Sequence, residues 1–327
     1  VYIIKISLVV LLVIFTKTCY NNPRQQKYPT VSRNLMKTLL IITFSIFALI
    51  SCSKKTETKL YSLKELEENQ FLFKLDSLPK NLEEVLRLDL SGKGIDKIPE
   101  VVFKMHNLQE LDLSKNAFKD VKGIEALKNL QYLNLGMNRL NDFPLEITKL
   151  HNLKEIGLWW NDFKDFPNEF YTGNTKLEAL DITSLYNFDF RKNLAEVHKF
   201  KYLKRLNLGA NQIPELTLKY KYLTNLEELG YIHQEKFNAN SIVDSLSNCN
   251  KLRIIHFSGN KISQLPKNIK LLENLEELNL FENNIQNLPL EITELKKLKE
   301  ISLIDNPIDE FKIREIEKIM PKTKIIY

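Results

Sequence analysis

Three cysteines in a chain of 327 residues are too few for a disulfide framework. The sequence also has no HExxH, CxxC or GxSxG motif, and its five histidines are scattered. The segment 91–94 (Ser-Gly-Lys-Gly) lacks the GxxxxGK[ST] spacing of a phosphate loop. Because no acid, base and nucleophile converge, we expect a protein that is not an enzyme and uses neither a cofactor nor a metal.

Acidic residues are absent from residues 1–52, which contain six Lys and Arg. The remainder of the chain therefore carries 41 basic and 41 acidic residues, so the net charge of +6 belongs entirely to this leader. A nucleic-acid partner requires a lasting basic surface. The charge distribution thus argues against nucleic-acid binding.

Residues 36–52 have the pattern of a secretory signal peptide. Met36 and Lys37 precede a mostly apolar run at 39–50, which is too short to span a bilayer. The ending Leu-Ile-Ser-Cys at 49–52 resembles the lipobox of bacterial lipoproteins. That resemblance implies cleavage before Cys52, a diacylglycerol anchor on its thiol and a place in the cell envelope. Ser53, rather than Asp, favours the outer membrane without deciding which face.

The segments on either side of this signal are less distinctive. Residues 1–35 begin with Val1 and contain their own apolar run; we interpret them as an over-extended reading frame, and a true N-terminal anchor is the alternative. Residues 53–60 are polar and are predicted to form a flexible tether.

An internal repeat occupies most of the chain. An aliphatic residue recurs every 22 to 26 residues, with apolar residues three positions before it and apolar or aromatic residues two positions after it. This column is Leu88, Leu111, Leu133, Ile156, Leu180, Leu206, Leu229, Ile255, Leu278 and Ile301. Seven of the ten residues found five positions later are Asn: Asn116, Asn138, Asn161, Asn211, Asn260, Asn283 and Asn306.

These columns resemble the leucine-rich-repeat family in its LxxLxLxxNxLxxLP form, with ten units over residues 85–309. The resemblance implies an α/β fold: a curved solenoid with a parallel β-sheet on its concave face and short helices or turns on its convex face. One strand per repeat cannot bury its inner face alone, so neighbouring repeats must stack. We expect the Asn side chains to satisfy buried backbone groups rather than to act in catalysis.

Both ends of the array have features of helical caps. In the N-terminal cap, residues 61–84, Ser62 and Glu65 form a capping box that opens a helix. In the C-terminal cap, residues 310–327, helical spacing at 311–320 precedes a strand-like tail at 324–327. The fifth and seventh repeats lack the Asn, and segments 187–200 and 235–250 are predicted to form short helices, with Ser241 as a candidate cap.

Strand residues that flank the buried positions point out of the concave face. The candidate ligand-binding residues on this face are Tyr132, Met137, Trp159, Trp160, Arg205, His256 and Phe281. Trp159 and Trp160 are the two tryptophans of the chain, and we expect Met137 to touch them. A row of Glu one position before the aliphatic column indicates a solvated face, with a site for a cationic ligand as the alternative.

The sequence therefore predicts a monomeric, membrane-anchored binding module that holds a protein or peptide on its concave face. Two other hypotheses remain open: a glycan or cell-wall binder that uses the same aromatic residues, and an enzyme subunit or scaffold without a ligand of its own. A flat aromatic platform beside Asp181 and Asn207 would favour a sugar. An apolar strip reaching Phe281 and Ile304 would favour a protein.

Overall fold

The computed structural model describes residues 58–211, 213, 222–234 and 237–327. The predictions made for the leader, for the lipobox with Cys52 and for residues 53–57 of the tether lie outside the described residues.

Twelve parallel strands form one open sheet in the described part of the chain, and they follow one another in sequence order. The strands are β1 Leu72–Lys74, β2 Arg87–Asp89, β3 Glu110–Asp112, β4 Tyr132–Asn134, β5 Glu155–Gly157, β6 Ala179–Asp181, β7 Arg205–Asn207, β8 Glu228–Gly230, β9 Ile254–His256, β10 Glu277–Asn279, β11 Glu300–Ser302 and β12 Lys324–Ile326. The middle residues of β2 to β11 are the ten members of the aliphatic column, paired in register. The α/β solenoid is confirmed, and the caps add one strand at each end.

The core lies on one side of this sheet. All ten residues of the aliphatic column are at most 3% exposed, because neighbouring repeats cover them. Burying each such side chain contributes about 1.5–3 kcal/mol. The opposite face of the sheet, formed by the residues on either side of the column, is called the concave face below.

Short helices occur between the strands and at both ends of the array. The α-helices of the described residues are α1 Leu63–Asn69, α2 Asn168–Gly173, α3 Phe190–Leu194, α4 Ala239–Leu246 and α5 Glu310–Ile319. The 3₁₀ helices are Leu75–Ser77, Leu82–Glu84, Glu100–Lys104, Ile124–Ala126, Leu145–Lys149, Val197–Lys199, Lys267–Leu271 and Leu290–Glu294. A proline, which fixes φ near the helical value, directly precedes several of them, as Pro144 precedes Leu145–Lys149.

The Asn column is a structural ladder, as predicted. Asn161, for example, donates from Nδ2 to the carbonyls of Leu135 (2.9 Å) and Leu158 (3.0 Å) and accepts from the backbone N–H of Leu140 (3.1 Å). The residue directly before each position of the Asn column adopts a positive φ, and this conformation turns the chain into the core. Met137 (φ 56°) and Trp160 (φ 51°) occupy this position in the third and fourth repeats.

The two irregular repeats contain the expected short helices. Helix α3 lies within the first predicted segment and α4 within the second. The prediction that Ser241 caps a helix is wrong. Asn238 caps α4 instead, and its side chain accepts from the backbone N–H of Ser241 inside the first turn. Asn238 can act as the cap because it directly precedes the helix and has an extended backbone, whereas Ser241 lies inside the helix.

The caps have the predicted helices. Helix α1 begins at the capping box of Ser62 and Glu65, and Leu66 is its buried residue. Helix α5 begins after the cap residue Asp309 and buries Ile313. Near the C-terminal end of the predicted tether, the Thr58 hydroxyl donates to the side chain of Asn107 (2.7 Å). Thr58 is therefore part of the folded domain rather than of a flexible tether.

Candidate binding groove on the concave face

A cavity of about 460 Å³ opens on the concave face between β3 and β9. Its wall on one side is Leu63 and Glu67 of helix α1, and its floor is the exposed side of the strands. We call this cavity the groove. Its volume lies in the range of ligand pockets in proteins.

Two buried glutamines bring α1 to the groove. The backbone N–H of Tyr61 donates to Oε1 of Gln109 (2.9 Å), and Nε2 of Gln131 donates to the Tyr61 carbonyl (2.8 Å). Nε2 of Gln109 also donates to the carbonyl of Lys59 (2.8 Å). Both glutamines are fully buried, so breaking these bonds would leave unpaired polar groups. The N-terminal cap is therefore fixed across the edge of the first repeats, and α1 lies against the groove.

Tyr132 holds this arrangement rather than offering an open contact surface. It lines the groove but is only 7% exposed, and its hydroxyl bonds to the Leu63 backbone. Burial, followed by the nearby charge of Glu155, raises the pKa of Tyr132 to about 12. The expectation that Tyr132 presents a free aromatic ring is corrected, because α1 covers it.

Ion pairs neutralise much of the glutamate row. Arg205 lies 2.5 Å from Glu155, and His256 lies 3.4 Å from Glu228. Burial opposes the charge of Arg205, but the hydrogen bond and charge of Glu155 outweigh it and raise the pKa of Arg205. The hydrogen bond from His256 lowers the pKa of Glu228. Arg205 and His256 thus line the groove as partners of acidic residues.

Polar side chains on the other flank of the strands form hydrogen-bonded steps. Asn134 donates to Asp112 (3.2 Å), and Asn207 donates to Asp181 (3.3 Å). Each Asp also accepts from the backbone two residues further on. All four side chains line the groove.

Met137, Trp159 and Trp160 follow β4 and β5 and do not themselves line the groove, but the Trp159 ring lies beside Gly157 of its floor. We call these three residues the aromatic rim. Met137 is 40% and Trp160 48% exposed, whereas Trp159 is partly buried. The N–H of Met137 donates to the Trp159 carbonyl (2.6 Å). The Trp159 indole lies flat on Gly136: a Cβ there would overlap its adjacent atoms Cε2, Nε1 and Cδ2. The expected contact between Met137 and the Trp pair is thus present at the backbone.

Phe281 is separated from the other candidates. It follows β10, is partly buried and does not line the groove. Ile304, in the next repeat, is 38% exposed. The structure therefore brings Tyr132, Arg205 and His256 together in the groove, places Met137, Trp159 and Trp160 at its rim and leaves Phe281 apart.

Leu63 and Glu67 are the groove residues that sequence reasoning missed. They lie about 70 residues from Tyr132 in the chain, outside every repeat column. The amphipathic sequence of helix α1 indicates that one side of the helix is buried, but it does not identify the surface against which that side packs.

Other features bear on the expected chemistry. Within the described residues, no three or more His, Cys, Asp or Glu are placed to hold a metal ion together. Cys249 is buried, and that burial raises its pKa to about 12. None of the helices in the described ranges has both the length and the apolar character of a membrane span.

Comparison with known proteins agrees with this geometry. A leucine-rich-repeat family model matches residues 83–140. No curated protein matches the chain. Among solved structures, an internalin from Listeria monocytogenes is similar at 18% identity and a TM-score of 0.51, over 75% of this chain and 81% of the internalin.

Two further leucine-rich-repeat structures are similar to this chain with lower TM-scores. A leucine-rich-repeat protein from Leptospira interrogans is 22% identical with a TM-score of 0.39, over 82% of this chain and 100% of that protein. The ectodomain of the Arabidopsis thaliana receptor kinase GASSHO1/SCHENGEN3, in complex with CASPARIAN STRIP INTEGRITY FACTOR 2, is 29% identical with a TM-score of 0.47, over 67% of this chain and 27% of that one.

The repeat columns, the parallel sheet, the family-model match and the internalin superposition define an α/β leucine-rich-repeat solenoid. Proteins with this fold are generally binding scaffolds without enzymatic activity.

Proposed function

We propose that this protein binds a protein or peptide partner on its concave face and has no catalytic activity. The observation that carries the proposal is a groove flanked by the aromatic rim. Exposed Trp beside a concave surface is typical of binding hot spots, since it presents a large contact area with few rotatable bonds to fix. Met137 adds a flexible apolar contact beside it.

The backbone at the rim supports a binding role. Met137 and Trp160 occupy the positive-φ position, where other repeats have glycine or small, polar or charged residues such as Lys115, His233 and Glu282. Any residue other than glycine pays about 1–2 kcal/mol there relative to the ordinary helical region. Because exposed Met and Trp gain little from the fold, a partner that covers them gives a reason for their presence.

The test removes the rim and leaves the scaffold. The protein with Trp159→Ala and Trp160→Ala should lose its partner in co-purification from the native cells, while its circular dichroism and unfolding transition stay close to those of the parent. Tyr202→Ala is the matched control, because Tyr202 is also exposed but lies outside the groove. Undiminished capture by the double variant would contradict the choice of surface.

We further propose that the protein is anchored by a lipid on Cys52 in the bacterial cell envelope, at the outer membrane. The support is the basic start, the apolar run and the Leu-Ile-Ser-Cys ending of residues 36–52. Two or more acyl chains are needed for a durable anchor. Mass spectrometry of the mature N-terminus should find an acylated Cys52, and Cys52→Ser should release the protein from membranes. An unmodified start upstream of Met36 would refute this assignment.

A glycan is the second candidate ligand, favoured by one observation. One face of the Trp159 indole rests on Gly136, which fixes the ring as a platform for stacking, near the amide of Asn134 that bonds the Gly136 N–H (3.1 Å). A glycan array that gives signals abolished by Trp159→Ala would support this candidate. Signals equal to those of the Trp159→Ala variant would reject it.

A further inference from the structure

The groove is strongly acidic although the chain beyond its leader has no net charge. Its lining includes six carboxylates against one arginine and one histidine. The carboxylates belong to Glu67, Glu110, Asp112, Glu155, Asp181 and Glu228. A concave wall of one charge sign concentrates its field in the hollow.

Three of these carboxylates have a basic partner in the fold, and His256 is charged only when it is protonated. Glu110 pairs with Arg87 (2.6 Å), Glu155 with Arg205 and Glu228 with His256. Glu67, Asp112 and Asp181 form no ion pair among the described residues, and the two aspartates accept only from neutral amides and backbone N–H groups. Glu67, Asp112 and Asp181 are therefore the carboxylates of the groove that have no basic partner among the described residues.

The groove is long enough for an extended chain, because its floor runs across seven adjacent strands, β3 to β9. Adjacent strands lie about 4.8 Å apart. A Cβ at Gly157 or Gly230 would approach the side-chain oxygen of Asn134 or Asn207 to 2.9 or 2.6 Å, so these glycines make room for the two Asn side chains. Helix α1 closes one side of the groove.

We propose that the groove accepts an extended segment of a partner protein that carries lysine and arginine side chains. This inference rests on the proposed function and names the partner's chemistry. Charge complementarity selects the occupant, because the unpaired carboxylates of Glu67, Asp112 and Asp181 line the same hollow. Arginine also stacks on indole rings, and the Trp159 ring lies beside Gly157 of the groove floor.

The experiment selects ligands without assuming one. Random 12-residue peptides displayed on phage are panned on the immobilised full chain, and the recovered sequences are compared with the unselected pool. Lysine and arginine should be enriched, and acidic residues depleted. The best synthetic peptide is then titrated by fluorescence anisotropy at low and high salt, and high salt should weaken its binding.

Two triple variants separate the groove from general charge. Glu67→Gln, Asp112→Asn and Asp181→Asn together should weaken peptide binding about tenfold, as expected for three lost ion pairs of modest strength. Glu100→Gln, Glu282→Gln and Glu317→Gln change the net charge equally, at exposed sites outside the groove, and should change affinity less than twofold.

The outcomes distinguish this inference from the proposed function. If the selected peptides are neutral or acidic, and the Trp159→Ala, Trp160→Ala protein no longer binds them, the proposal of a basic partner segment is overturned. The proposal that the concave face binds a protein or peptide then stands. Equal effects of the two triple variants would also overturn the groove assignment. Failure to enrich any peptide, together with native capture unaffected by the rim variant, would overturn both.

Discussion

Arg205 reaches past Ala179 on the intervening strand to place its guanidinium 2.5 Å from the carboxylate of Glu155. The two residues lie on β7 and β5, two strands apart, and Ala179 is the residue between them in the same register. A longer side chain at position 179 would fill the path of Arg205. The pair thus depends on a small residue in the one repeat between its members.

Removing this ion pair should reduce stability by a modest amount. A double-mutant cycle with Arg205→Gln and Glu155→Gln should give a coupling of about 0.5–1 kcal/mol, measured by urea unfolding. The exposed pair Lys270 and Glu294 (3.5 Å) is the control, with a coupling near zero. A coupling no greater than that of the control would show that the observed contact contributes nothing.

Gly136→Ala should destabilise the protein, because the new methyl group meets the Trp159 indole. Overpacking of this kind costs about 1–3 kcal/mol, and the tryptophan emission should shift as the ring moves. Adding Trp159→Ala should restore most of the lost stability. If the double variant instead shows the sum of the two single losses, the overlap is not the cause.

Asn161→Ala should be among the more damaging substitutions in the solenoid. It leaves the carbonyls of Leu135 and Leu158 and the N–H of Leu140 without their partner in a buried turn. We expect a loss of about 2–4 kcal/mol in denaturant unfolding. Asn306→Ala, at the partly exposed turn of the last repeat, should cost less, since water replaces part of its bonding. Equal losses would contradict this dependence on burial.

The pair of Glu228 and His256 predicts a pH dependence. The pKa of Glu228 is lowered in the fold, so its contribution to stability is present above its ordinary pKa of 4.5 and is lost as the pH falls through the lowered value. Unfolding of the parent protein and of Glu228→Gln should therefore differ at pH 6 and converge towards pH 3. A difference that persists unchanged at pH 3 would rule out this linkage.

Much of the fold was predictable because the repeat is a local pattern that recurs. Leu88 and the nine residues that follow it in the aliphatic column each become the buried centre of a strand. The Asn side chains bond the turns as their amide chemistry predicts. The concave positions of Arg205 and His256 follow from alternation along the strand, so this part of the candidate site was also predictable from the sequence.

The remaining features of the site depend on contacts between segments that the repeat pattern does not connect. Sequence alternation places Tyr132 on the concave face, yet helix α1 covers it, because Gln109 and Gln131 bond the chain at Tyr61. The sequence offered Ser241 as a cap of the helix in 235–250, and only the backbone conformation decides that Asn238 is the cap instead.

The sequence by itself determined the solenoid, the position of each strand and the face that stays open, since stacked repeats must bury one column and expose its neighbours. Only the tertiary structure decided that Leu63 and Glu67 wall the groove, that Arg205 crosses Ala179 to Glu155 and that Trp159 lies on Gly136. These relationships depend on side-chain reach and close packing across repeats, which a column of residue types does not specify.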